Sequence, residues 1–186
     1  MVKHLLRLGC NINQPSMIQF NCSHLRTPLQ AATAVGHTEL VEFLISQGAN
    51  VNSKAYGNMG ATALQYAARN GHLGIARILI GMGANVNATG AKLSGRTALE
   101  GAAENGRLDM LHLLLGSGAR TDGPGLPQYI RALLFARFGC HHAAFKLLRE
   151  TREWASEEER IWQLVSSWSP HRNYDRITRL IFALRR

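Results

Sequence analysis

The chain has 186 residues, a length that suits a single domain. Hydrophobic residues make up 46% and charged residues 18%, which is a globular composition and not a disordered one. No apolar run approaches the ~20 residues that span a bilayer. The formal net charge of +9 invites an acidic partner or nucleic acid, but the lysines and arginines are scattered and form no dense block, so a generally basic surface is favoured over a nucleic-acid footprint.

The first element runs from Val2 to Leu8 and stops at Gly9. A long loop follows, with Pro15, Phe20 and Cys22. Thr27-Pro28-Leu29-Gln30-Ala31-Ala32 then opens a short helix that ends at Gly36. The threonine is placed to cap orphan amides, and proline at the first helical position loses nothing. A second helix carries Leu40-Val41-Glu42-Phe43-Leu44-Ile45 and closes on Gly48-Ala49-Asn50. The same order returns at Thr62, with Gly71, Ile75 to Ile80 and Gly83-Ala84-Asn85. It returns again at Thr97, with Gly106, Met110 to Leu115 and Gly118-Ala119-Arg120. Thr27, Thr62 and Thr97 are spaced by 35 residues. One pair of such short helices is marginal in water, so the pairs must stack to bury their apolar sides.

A worn fourth pair follows. Ile130 to Gly139 aligns with a first helix and His141 to Leu148 with a second, while Pro124 and Pro127 are expected in the loop before them. Beyond residue 150 the pattern changes. Ser156-Glu157-Glu158-Glu159 reads as a capping box. Ile161, Leu164, Val165 and Trp168 then form an apolar stripe, which Ser169-Pro170 ends. Asn173 is placed to cap a last helix with Tyr174, Ile177, Leu180, Ile181 and Leu184 on one side. This tail reads as a cap over the last repeat, with a basic amphipathic docking helix as the alternative.

The repeated pattern resembles the ankyrin repeat, whose unit of about 33 residues carries T-P-L-H-x-A, followed by Gly-His and a closing Gly-Ala-Asp/Asn. Thr27-Pro28-Leu29, Gly36-His37, Gly71-His72, Gly48-Ala49-Asn50-Val51-Asn52 and Gly83-Ala84-Asn85-Val86-Asn87 carry the resemblance. It implies an all-α solenoid of helix-turn-helix units with extended loops and a C-terminal helical cap. The divisions it implies are a partial repeat over 1–26, repeats over 27–61, 62–96 and 97–123, a degenerate repeat over 124–150 and the tail over 151–186. Because the chain opens on a second helix, it is expected to be a fragment or the tail of a longer array. The chain departs from the family at Gln30, Gln65 and Glu100, where histidine is usual, and at Ala63 and Ala98, where proline is usual. The longer connecting loops are similar to those of filamentous-fungal ankyrin proteins. They are expected to project as hairpin fingers.

No motif for chemistry emerges. A phosphate loop, a dinucleotide fingerprint and a His-Glu-x-x-His pair are all lacking. Cys10, Cys22 and His24 lack zinc-site spacing, and Cys140-His141-His142 falls at a repeat turn, so a structural role is favoured there over a metal or nucleophile site. Catalytic residues, metals, cofactors and a small-molecule substrate are therefore not expected. Three unpaired cysteines and the lack of a secretory signal point to an intracellular, cytoplasmic or nuclear, setting. The resemblance implies a protein partner held by first helices and loop fingers. Its groove positions are Ala34, Val35, Arg69, Asn70, Glu104 and Asn105, and its finger positions are His24, Arg26, Asn58, Met59, Ala61, Leu93, Ser94 and Arg96. Tyr56 and Tyr66 are added as aromatic anchors, since tyrosine and arginine are enriched at binding hot spots. The alternatives are a recognition tail of a larger, possibly catalytic, protein and, less favoured, nucleic-acid binding.

Overall fold

The structure, a computed structural model, describes residues 9–15, 25–56, 60–91 and 95–184. The described residues hold ten α-helices and one 3-10 turn, with no strand among them. The helices come in pairs: α1 (Pro28–Val35) with α2 (Thr38–Ser46), α3 (Ala63–Asn70) with α4 (Leu73–Gly81), α5 (Ala98–Glu104) with α6 (Leu108–Gly116), and α7 (Leu126–Phe138) with α8 (His142–Glu150). The tail adds α9 (Ser156–Val165) and α10 (Pro170–Leu184). First helices pack on first helices, α1 on α3 on α5 on α7, and second helices form an outer row.

Each of α1, α3 and α5 starts on a reciprocal cap. The Thr27 hydroxyl accepts the Gln30 amide N–H at 3.2 Å, and the Gln30 side-chain oxygen accepts the Thr27 N–H at 2.9 Å. Thr62 with Gln65 and Thr97 with Glu100 repeat the arrangement. Such a cap contributes about 1 kcal/mol. Alanines then line the inner contacts: Ala32, Ala67, Ala68, Ala102 and Ala103 are all buried and leave room for close helix approach. The larger apolar side chains come from the second helices, with Val41, Leu44, Ile75, Leu79, Leu111 and Leu114 fully buried. Each stabilises by about 1.5–3 kcal/mol.

Two further devices join the pairs. Gly36 sits at φ 79°, and the imidazole of His72 from the next unit lies against it; a Cβ there would stand 2.6 Å from that ring. Gly106 faces His141 in the same way. This contact accounts for His72 and His141 as packing residues. The second asparagine of each closing turn also reaches forward. Asn52 accepts the Asn85 N–H at 2.7 Å and donates to the Gly83 carbonyl at 2.9 Å. Asn87 does the same to Arg120 and Gly118, and Asn13 accepts the Asn50 N–H.

The fourth pair and tail differ from expectation in detail. Helix α7 starts at Leu126, not Ile130, because Pro127 falls in the first turn, where its missing N–H leaves no bond unmade. Ser156 is the first residue of α9 and not its cap: only half of the box forms, with the Glu158 carboxylate accepting the Ala155 N–H at 3.2 Å. Leu164 is 54% exposed and stands off the stripe that buries Ile161, Trp162 and Val165. Helix α10 begins at Pro170, and Asn173 sits at a kink inside it, its amide bonded to the Ser169 carbonyl at 3.1 Å. Ile177 and Ile181 are fully buried, and α10 packs along α7 as a cap.

Candidate functional site

The inner row of first helices presents a surface whose side chains the core does not use. At its first units, Val35 is 74% exposed at the end of α1. Arg69 is exposed on α3, and Asn70 donates to the Ala34 carbonyl at 2.8 Å, tying α3 to α1. Tyr66 lies beneath Arg69 and is buried, 2% exposed. Arg26 donates to its hydroxyl at 2.9 Å and stacks on the ring with its guanidinium carbon 4.6 Å from the centroid; that of Arg69 lies 5.6 Å away. The aromatic is therefore a floor under two guanidiniums, and the arginines form the reachable surface.

The third and fourth units carry a different arrangement. Gln30 and Gln65 each donate to two carbonyls of the following loop: Ser53 and Lys54, then Ala88 and Thr89. Glu100 takes the same position but cannot donate. It accepts instead, from Arg131 at 2.8 Å and from the Tyr174 hydroxyl at 2.9 Å. Its side chain is fully buried and that of Arg131 nearly so, at 0% and 8% exposure. Burial, and next the Glu100 carboxylate, raises the Tyr174 phenol pKa above its ordinary value. Arg131 also donates to Thr178 and stacks on Tyr174 at 4.1 Å.

Arg96 completes this cluster. Its Nε donates to Glu104 at 3.1 Å, its Nη2 lies 3.1 Å from His171 Nδ1, and its guanidinium lies against the rings of Phe135 at 4.3 Å and Tyr174 at 5.5 Å. Two expected contact residues, Arg96 and Glu104, are thus engaged by the chain's own tail. Asn105 is turned back on α5, donating to the Gly101 carbonyl at 2.9 Å. The sequence carried two signals for this contact: a carboxylate where the other units have glutamine, and Arg131 in a helix that otherwise buries apolar residues.

The loop fingers are partly described. Tyr56 is half-buried, with the Lys54 ammonium 5.9 Å from its ring, beside a shallow cleft that Asn85, Ala88 and Thr89 also line. Asn58, Met59 and Leu93 lie outside the described residues, as do His24 and Ser94. The described parts of these connections hold turns and no hairpin strands. Cys140 takes the left-handed conformation, φ 58°, at a repeat turn, and His141 bonds to the Glu104 carbonyl at 3.1 Å. Among the described residues no three His, Cys, Asp or Glu side chains gather in a form that could hold a metal, and no helix is long and apolar enough to cross a membrane.

A comparison with curated proteins gives no match. A comparison with family models matches ankyrin repeats, in a model of three copies, over residues 1–90 and 57–123. The match is to the family at large and distinguishes no fungal branch of it. Ankyrin repeats are in general protein–protein interaction modules. The threonine-capped inner helices, the glycine-ended turns and this match across about two thirds of the sequence show that the chain belongs to the ankyrin repeat family.

Proposed function

We propose that this chain is a protein-binding scaffold or adaptor that holds its partner on the inner row of first helices and the adjoining loops. The observation that carries the reading is the inner surface over α1 and α3. There Val35 and Arg69 are exposed, and Arg26 lies half-buried on the Tyr66 ring. Arginine over a buried ring is a preorganised contact, because the stacked guanidinium has lost much of its freedom before binding. The tail covers the corresponding surface over α5 and α7, so the site is placed toward the amino-terminal units. The loop residues Tyr56, Asn58, Met59 and Leu93 belong to its rim in this reading. The chemistry of the surface is recognition and not catalysis. Free, exposed Cys10 and Cys140 are consistent with a reducing, intracellular setting.

A pull-down tests the reading with the full chain. The double variant Arg69→Glu with Val35→Asp should recover the wild-type partner about tenfold less well, since a few residues dominate such interfaces. Arg77→Glu, on the exposed face of α4, should leave recovery unchanged. Equal recovery by the double variant, or equal loss with Arg77→Glu, would place the contact elsewhere.

A further inference from the structure

The solenoid contains one structural arrangement twice. Arg26 and Arg96 each immediately precede a capping threonine, Thr27 and Thr97. Each lays its guanidinium on a buried ring from the next unit's first helix: Tyr66 at 4.6 Å and Phe135 at 4.3 Å. The second copy is filled by the tail. Tyr174 also stacks on Arg96, at 5.5 Å, and His171, three residues earlier across the kink at Asn173, sits between Arg96 and Glu104, 3.7 Å from the latter. The first copy has no such cover among the described residues.

The copies differ in charge. Glu104 occupies the last turn of α5, and Arg69 occupies the same place in α3. In the second copy Arg96 is balanced by Glu104. In the first copy Arg26 and Arg69 have no carboxylate within ion-pair distance among the described residues, and the Tyr66 hydroxyl takes the Arg26 Nε–H that Glu104 takes from Arg96. A helix that suits the second copy, with a neutral or basic side chain facing Glu104, is thus mismatched to the first. The first calls for the opposite sign at that position. Gln30, the counterpart of Glu100, is neutral and has its amide N–H groups committed to Ser53 and Lys54, so the first copy lacks the buried carboxylate that accepts from the Tyr174 hydroxyl and from Arg131. What remains among the described residues is a half-buried guanidinium stacked on Tyr66 and two positive charges without a carboxylate beside them.

We propose that this first copy binds an acidic segment of a partner protein, one that lays an aromatic ring against Arg26 and, three residues before it, presents a carboxylate to Arg69. The inference rests on reading the inner surface as protein-binding and specifies its ligand. The ring gains a cation–π contact with a guanidinium already held flat. The carboxylate gains a charge-assisted hydrogen bond, which favours such a segment over a second copy of the chain's own tail.

The tail supplies the probe. A labelled peptide of residues 168–184 carrying His171→Glu, and the same peptide unaltered, are titrated into the full chain and followed by fluorescence anisotropy. The altered peptide should bind about tenfold more tightly, and Arg69→Glu in the protein should reverse the order. Arg69 is exposed and makes no ion pair, so the variant should fold; circular dichroism checks this, and Arg69→Gln provides a milder second variant that should abolish the preference. No binding, equal binding of the two peptides, or a preference that survives Arg69→Glu would overturn the proposal. If it fails while partner recovery still depends on Arg69 and Val35, the inner surface remains the binding face and only the acidic, aromatic ligand is wrong.

Discussion

At the scale of single residues, the decisive position is the fourth of the repeat motif. Gln30 and Gln65 cap their own helices and stitch them to the following loops with the same side chain. The sequence shows that these glutamines can hydrogen-bond, but not what they reach, because loop carbonyls 23 and 24 residues away enter only through the fold. Glu100 turns the same position into a charge, and Arg131 answers it in a nearly water-free setting. Removing one partner of a buried pair leaves the other uncompensated and costs about 3–5 kcal/mol. Glu100→Ala should therefore lower unfolding free energy by about that amount in urea titration. A loss below about 1 kcal/mol would mean that Arg131 finds water or another partner instead.

At the scale of elements, the helix pairs and the capping tail were legible, and the contacts the tail makes were not. Threonine caps, glycine stops and apolar spacing identify α1 to α6 because each is a local signal, read within one turn. Where α10 lies is a long-range matter: Tyr174 meets Glu100 and His171 meets Arg96, contacts that span more than 70 residues. Its starting point is divided: a first turn opens at Pro170, and the chain breaks at the non-helical Asn173 before the helix that carries Tyr174, Ile177 and Ile181. The Tyr174 contact predicts a pH dependence. Burial and the Glu100 carboxylate raise the phenol pKa above the ordinary value near 10. The unfolded chain therefore releases this proton first. The stability that neutral Tyr174 contributes is complete below about pH 10 and is lost as pH rises toward the folded value. Denaturation between about pH 8 and about pH 12 should show wild type losing more stability than Tyr174→Phe. Parallel losses would show that Tyr174 is not the group responsible.

At the scale of the whole molecule, a linear stack offers a continuous inner surface, and here the chain divides it. Over α5 and α7 its own tail fills the surface with a charged and aromatic cluster. Over α1 and α3 two arginines stand over a buried tyrosine with no carboxylate beside them among the described residues. Repetition made the inner surface predictable from sequence, but the division could not be read there, because it depends on where a non-repeating tail comes to rest. The direct measurement is hydrogen–deuterium exchange of the full chain with and without the protein recovered in the pull-down. New protection should appear in α1, α3 and their adjoining loops, with α10 unchanged. Protection confined to the outer helices α2, α4 and α6, or gained by exchange of α10 for the partner over α5 and α7, would contradict an open amino-terminal half as the binding face.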